Sequence, residues 1–191
     1  MASKSKTVLL VMDLQQGIVS RFPNADEYIS RVAKTIHAAR NKGIPIIYVT
    51  VAFRSGYPEV SSRNKAFDAV VARAGNAFQE GSPAVKIVDA IAPTEKDILV
   101  TKRRVSAFAG SDLDVVLRSL GAETLVLTGV ATSGVVLSTL RQAADLDYAV
   151  TVLEDLCLDF DAEVHRVLVE KVFPKQADVV KSEAWVESLQ G

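Results

Sequence analysis

Short β-branched apolar runs alternate along this chain with longer stretches in which apolar residues recur every three or four positions. The runs are Thr7–Met12, Ile44–Val51, Asp97–Thr101, Thr124–Gly129, Ala149–Leu153 and Ala177–Val180. Unbroken apolar runs of this length read as strands buried on both faces, the pattern of a parallel sheet. The amphipathic stretches Asp26–Asn41, Ser62–Arg73, Ala84–Ile91, Ser111–Leu120, Ser133–Leu146 and Ala162–Lys171 predict helices. Asp26, Ser111 and Asp161 suit N-caps, because a short polar side chain accepts from the free amides of a first turn. Gly43 and Gly121 suit helix ends, where a left-handed residue closes the last turn. The alternation predicts an α/β fold: a three-layer α/β/α arrangement around a mostly parallel sheet, with right-handed crossovers. There is no internal repeat, low-complexity segment or linker, so residues 1–191 read as a single domain.

Composition narrows the partners. The chain is 49% hydrophobic and 24% charged, with a net charge of −1 and no block of one sign. That excludes nucleic acid or an anionic membrane as the principal partner and leaves a small molecule. The apolar run Val8–Met12 is too short for a signal-peptide core and ends at Asp13. No segment approaches the ~20 apolar residues of a membrane span, so a cytoplasmic protein is expected. The single cysteine, Cys157, rules out an intrachain disulfide.

Chemistry is expected at the carboxyl ends of the strands, where open α/β sheets bind ligands. Asp13, Phe53, Arg54, Lys102 and the turn Gly129–Gly134 each follow a predicted strand directly, and irregular stretches at 52–61 and 76–83 lie on the same side. Asp13 reads either as an acid or base with a pKa raised by burial, or as an N-cap for the turn that follows. Lys102, followed by Arg103 and Arg104, reads either as its electrostatic partner or as part of a basic loop. The turn Gly129–Gly134, opening a helix near Ser133, presents backbone amides suited to an oxyanion or carboxylate. Arg54, beside Phe53 and Tyr57, is either a carboxylate-recognising group or a surface residue. Cys157 reads as a buried apolar residue in preference to a nucleophile. His37 and His165 fall in separate predicted helices and form no ligand cluster; His165 is expected to support the sheet edge or a subunit contact. The hydroxyls of Thr132 and Ser133 have no histidine accompanying them.

The segments TVLLVMDLQQG, VTKRRVSAF and TGVATSGVVLST together resemble the isochorismatase-like hydrolases of the cysteine hydrolase superfamily, over nearly the whole chain. The resemblance implies a parallel six-stranded sheet, a homodimer or homotetramer, and catalytic roles for Asp13 and Lys102. It implies a cis peptide at Val130–Ala131, and a substrate pocket formed by Phe53, Arg54, Tyr57, Ser106, Phe108, Val130, Ala131, Thr132 and Gly134. Most members place a nucleophilic cysteine where this chain has Val135, which offers no thiol. Nicotinamidase-like relatives carry a histidine-containing metal site after the second strand; Ala52–Tyr57 contains no histidine, so neither a metal nor another cofactor is expected. True isochorismatases also lack the cysteine and cleave a vinyl ether, which needs an acid and water only. They carry glycine in the slot and a Tyr-Ala-His turn, whereas the Ala-Thr-Ser turn here is closer to the amidase-type members. The expected function is cysteine-independent hydrolysis of isochorismate or a similar small carboxylated substrate. The alternatives are a catalytically silent ligand-binding or interaction protein, and an amide hydrolase with another nucleophile.

Overall fold

The computed structural model describes residues 6–190. Six strands, β1 (Thr7–Met12), β2 (Ile46–Val51), β3 (Ile98–Lys102), β4 (Thr124–Val130), β5 (Ala149–Leu158) and β6 (Asp178–Val180), pair in parallel throughout. Their order is β3-β2-β1-β4-β5-β6, so the direction of winding reverses between β1 and β4. In parallel sheets, ligands bind at the carboxyl ends of the strands that flank such a reversal. The helices are α1 (Gln16–Val19), α2 (Ala25–Asn41), α3 (Lys65–Ala74), α4 (Leu113–Leu120), α5 (Leu137–Asp145), α6 (Ala162–Val167) and α7 (Ser182–Ser188). Among the described residues no helix is long and apolar enough to cross a membrane.

Side-chain alternation on β1 explains the three layers. Val8, Leu10 and Met12 face a core completed by Leu113 and Leu117 of α4, Leu140 and Ala143 of α5, and Leu168 and Val169. Leu9 and Val11 face the opposite core with Tyr28, Val32 and Ile36 of α2 and Trp185 of α7. Both sets are essentially inaccessible to water. Burying each such side chain contributes about 1.5–3 kcal/mol, so strands apolar on both faces are driven into the middle layer.

Several ends follow the polar signals. Asp161 accepts from the amides of Glu163 (2.9 Å) and Val164 (3.2 Å) at the start of α6. Gly43 and Gly121, with φ of 71° and 62°, end α2 and α4. Others shift. Ser111 accepts from Leu113, but Asp112 holds the cap position of α4. Asp26 lies inside the first turn of α2 instead of capping it. Asn64 caps α3, which therefore starts at Lys65 and not at Ser62.

The helix expected over Ala84–Ile91 does not form. Two single 3-10 turns flank a stretch whose residue Ile87 lies antiparallel to Gln15. Gln16 N–H donates to Lys86 (2.8 Å) and Val88 N–H to Leu14 (3.1 Å), so the backbone groups a helix would use are committed across the chain. β5 runs five residues past the expected end, with a break in register between Leu127 and Gly129 of β4. The reading of the sequence did not anticipate α7.

Among the described glycines, Gly129 makes the closest backbone approach, where β4 meets the end of β1. It pairs with Met12, has φ 147°, and an added Cβ would lie 2.3 Å from the Met12 carbonyl oxygen. Gly129→Ala should therefore cost about 2 kcal/mol or more in urea unfolding, whereas Gly134→Ala, with only ordinary contacts at 3.8 Å, should fall well below that.

Candidate active site

Asp13 is the first residue beyond β1, and its φ of 58° turns the chain sharply out of the sheet. Its amide still donates to Val49 of β2 (2.8 Å), so the carboxylate is held where the strand ends. Lys102 is the last residue of β3, paired with Val51 of β2. Strand β2 lies between β1 and β3, and the lysine side chain spans that gap. Its Nζ sits 2.9 Å from Asp13 Oδ2 and donates to the Arg104 carbonyl at 3.0 Å. Both side chains are almost fully buried, at 3% and 8% exposure for Lys102 and Asp13. Burial raises the Asp13 carboxyl pKa above its ordinary 3.8, and the ammonium opposes this without cancelling it. Asp13 Oδ1 is buried with no hydrogen-bond partner among the described residues.

Gln15, which the reading of the sequence missed, stitches this corner together. Its amide donates to Val51 (3.0 Å) and Val85 (2.8 Å) and accepts from the Val51 N–H (2.9 Å), completing backbone pairing where β1 has already turned away. A glutamine two residues past a buried strand-end aspartate was the available signal.

The third element is the turn after β4. The Val130–Ala131 peptide is cis, and Thr132–Val136 forms a single wide turn that leads into α5. Such wide turns recur at functional sites. The turn's own bonds use the amides of Gly134 and Val136, which both donate to Ala131 (3.1 and 3.3 Å). The Ser133 amide donates to Asp159 (2.7 Å). Thr132 is fully buried and its hydroxyl lies 2.8 Å from His165 Nδ1 on α6. A histidine does therefore accompany Thr132, from 33 residues away, where no sequence spacing could reveal it.

Val135 is 2% exposed and packs into the core beside Val136 and Leu140. Cys157 of β5 pairs with Gly129, close to the turn, but burial pushes its thiol up to about 12. At neutral pH it is a protonated core residue and not a nucleophile.

The other candidate residues make the following contacts. Arg54 is exposed and its guanidinium pairs with Glu59 at 2.6 Å. Phe53 and Tyr57 pack with Phe67 in a small aromatic cluster, and the Tyr57 hydroxyl donates to the Gly75 carbonyl. Ser106 donates to Gln142 of α5 (2.7 Å), Ala107 N–H donates to Thr139 (2.9 Å), and Phe108 stacks on Tyr148. The Ser-Ala-Phe segment thus fastens the loop after Lys102 to α5. Two aromatics not singled out from the sequence, Phe22 and Phe160, stack at 4.5 Å with Arg21 over the Phe160 ring, joining the exits of β1 and β5. Among the described residues no three His, Cys, Asp or Glu side chains gather into a metal-holding group.

Comparison with known proteins agrees with this layout. The isochorismatase domain model matches residues 7–184. The chain is 33% identical over 193 residues to the isochorismatase family protein YecD of Escherichia coli O157:H7, covering 96% of each. It is 33% identical over 171 residues to the ureidoacrylate amidohydrolase RutB of Stutzerimonas stutzeri, covering 79% of this chain and 69% of the relative. An isochorismatase family protein from Burkholderia thailandensis superposes with a TM-score of 0.83 at 26% identity, covering 97% and 96% of the two chains.

Removing one partner of the Asp13–Lys102 pair strands a buried charge, so Lys102→Met should destabilise the protein by about 3–5 kcal/mol. The double variant Asp13→Asn/Lys102→Met should recover part of that loss, and a double-mutant cycle in denaturant measures it. Cys157 should resist a thiol reagent in the folded protein and react once in denaturant, read by the absorbance of the released chromophore.

Proposed function

The chain belongs to the isochorismatase family, and from that premise we propose that it hydrolyses a small carboxylated substrate without a thiol intermediate, by the chemistry that opens the vinyl ether of isochorismate. The observation that carries this reading is the buried Asp13–Lys102 pair in a chain whose only thiol is locked in the core. Hydrolysis of an amide through a thiolate needs a thiol that Val135 cannot supply. Hydrolysis of an enol ether needs an acid, a site for water, and compensation of developing charge.

The steps use groups already in place. Protonated Asp13 delivers its proton to the terminal methylene carbon, and the double-bond electrons form the new C–H bond. The adjacent carbon becomes an oxocarbenium ion. Water adds there and returns a proton to the Asp13 carboxylate. The hemiketal then collapses, breaking the C–O bond and releasing a 2-keto acid and an alcohol. Lys102 balances the carboxylate charge while the proton is away, from 2.9 Å.

A second reading rests on the 2.8 Å contact between Thr132 and His165. A hydroxyl next to an imidazole can act as a nucleophile toward an amide, and some relatives are named as amidohydrolases. Thr132 has no solvent-exposed surface, which places this reading second.

The deciding assay is release of pyruvate from isochorismate, followed by a coupled enzyme. Asp13→Asn should lose about 10²–10⁴-fold in rate, and Cys157→Ala should retain activity. No pyruvate from the unaltered protein, or equal rates from Asp13→Asn, would sink the reading; a covalent adduct on Thr132 found by mass spectrometry would favour the second one. Because burial raises the Asp13 pKa and the reaction uses its protonated form, kcat/KM should be highest on the acid side. It should fall as pH rises through a pKa above 3.8, and a profile that instead rises with pH contradicts the acid role.

A further inference from the structure

A cation recognises a carboxylated substrate well, and the Lys102 ammonium already spends donors on Asp13 (2.9 Å) and on the Arg104 carbonyl (3.0 Å). Five arginines stand on the loops at this end of the sheet; Arg63, just before α3, makes no ion pair among the described residues, and the other four differ in how they are held. Arg54 is paired with Glu59. Arg103 is paired with Glu80, approaches Glu59 at 3.7 Å, and donates to the Ala52 carbonyl. Arg21 lies 4.5 Å over the Phe160 ring. Arg104 differs from all three. It is exposed, it makes no ion pair among the described residues, and its side-chain hydrogen bond is from Nη1 to the Arg103 carbonyl at 2.7 Å. That bond orients the guanidinium while leaving Nη2 and Nε free to donate.

Its position is also fixed relative to the buried pair. Lys102 Nζ donates to the Arg104 carbonyl oxygen at 3.0 Å. Standard bond lengths then put the Arg104 Cα within about 6 Å of the ammonium, a span that an arginine side chain matches. The loop that carries it is anchored on α5 through Ser106–Gln142 and Ala107–Thr139. An unpaired guanidinium carried on an anchored loop is suited to a carboxylate, which it binds through two parallel hydrogen bonds.

We propose that Arg104 is the residue that selects a carboxylate-bearing substrate at the Asp13–Lys102 site. This rests on the reading of that site given above, and it assigns to Arg104 the recognition role for which Arg54 was the candidate in the sequence. Arg104 acts on binding and discrimination; the proton transfer stays with Asp13.

The full-length protein is titrated with salicylate and with salicylamide, its neutral counterpart, by calorimetry. The unaltered protein should prefer salicylate by about tenfold or more, the scale of one charge-assisted bidentate contact. Arg104→Gln should lose that preference by raising the Kd for salicylate and leaving salicylamide unchanged. Arg104→Lys should restore part of it, and Arg54→Gln should alter neither. The proposal fails if the unaltered protein does not prefer the carboxylate, if Arg104→Gln keeps the preference, or if Arg54→Gln loses as much. Failure of the hydrolytic reading looks different: no pyruvate from isochorismate, with the Arg104-dependent preference for salicylate intact.

Discussion

The ion pair between Asp13 and Lys102 is the constraint around which this end of the molecule is arranged. Withdrawing a carboxylate and an ammonium from water costs several kcal/mol for each ion, and only a close, well-bonded contact offsets that. The two residues leave strands that are not neighbours, so the lysine stem must cross the end of β2. That crossing is possible because β2 stops at Val51 and the chain swings away at Ala52. The 53–80 excursion then closes on itself, Phe53 bonding Phe78 and Glu80, around its own aromatic cluster. Gln15 replaces the backbone pairing lost at the corner, and the Arg104 carbonyl takes a further ammonium proton. Sheet order, strand lengths and loop anchoring all serve to hold one buried pair.

Around it, most of the neighbouring charges are committed to contacts within the protein. Arg54 is paired with Glu59 inside the excursion, Arg103 ties the excursion to the loop after β3 through Glu80, and Arg21 joins the exits of β1 and β5. The turn after β4 is fixed from outside by the segment following β5, through Asp159 on the Ser133 amide and His165 on Thr132. A site held by such supporting contacts is preorganised, which is what electrostatic stabilisation of a transition state requires. The thiol chemistry typical of cysteine hydrolases has no counterpart here, because Val135 belongs to the core and Cys157 is buried beside Gly129.

Much of this was legible one residue at a time. Runs apolar on both faces mark inner strands of a covered sheet, as β1, β2 and β4 are, whereas β3 and β6 are edge strands and β3 leaves Leu99 exposed. A charged residue that ends such a run must lie at a strand terminus, which singled out Asp13 and Lys102. Asp161, Gly43 and Gly121 act through their own local conformation, so their roles as helix ends were visible as well. Local pattern failed where backbone or charge is satisfied at a distance. Ala84–Ile91 has helical periodicity, but its amides and carbonyls find partners at Leu14–Gln16. The contacts of Ser106 with Gln142 of α5 and of Phe108 with Tyr148 likewise bring together residues more than 30 positions apart.

The sequence by itself therefore determined the layers, the strand ends and the two groups of the ion pair, since these depend on burial patterns and residue chemistry within a few positions. Only the tertiary structure decided which cations are neutralised, which histidine meets Thr132, and that the one thiol is out of reach. Those outcomes depend on Coulombic and hydrogen-bond partners brought within about 3 Å from distant parts of the chain, and the spacing of residues along a sequence carries no record of such meetings.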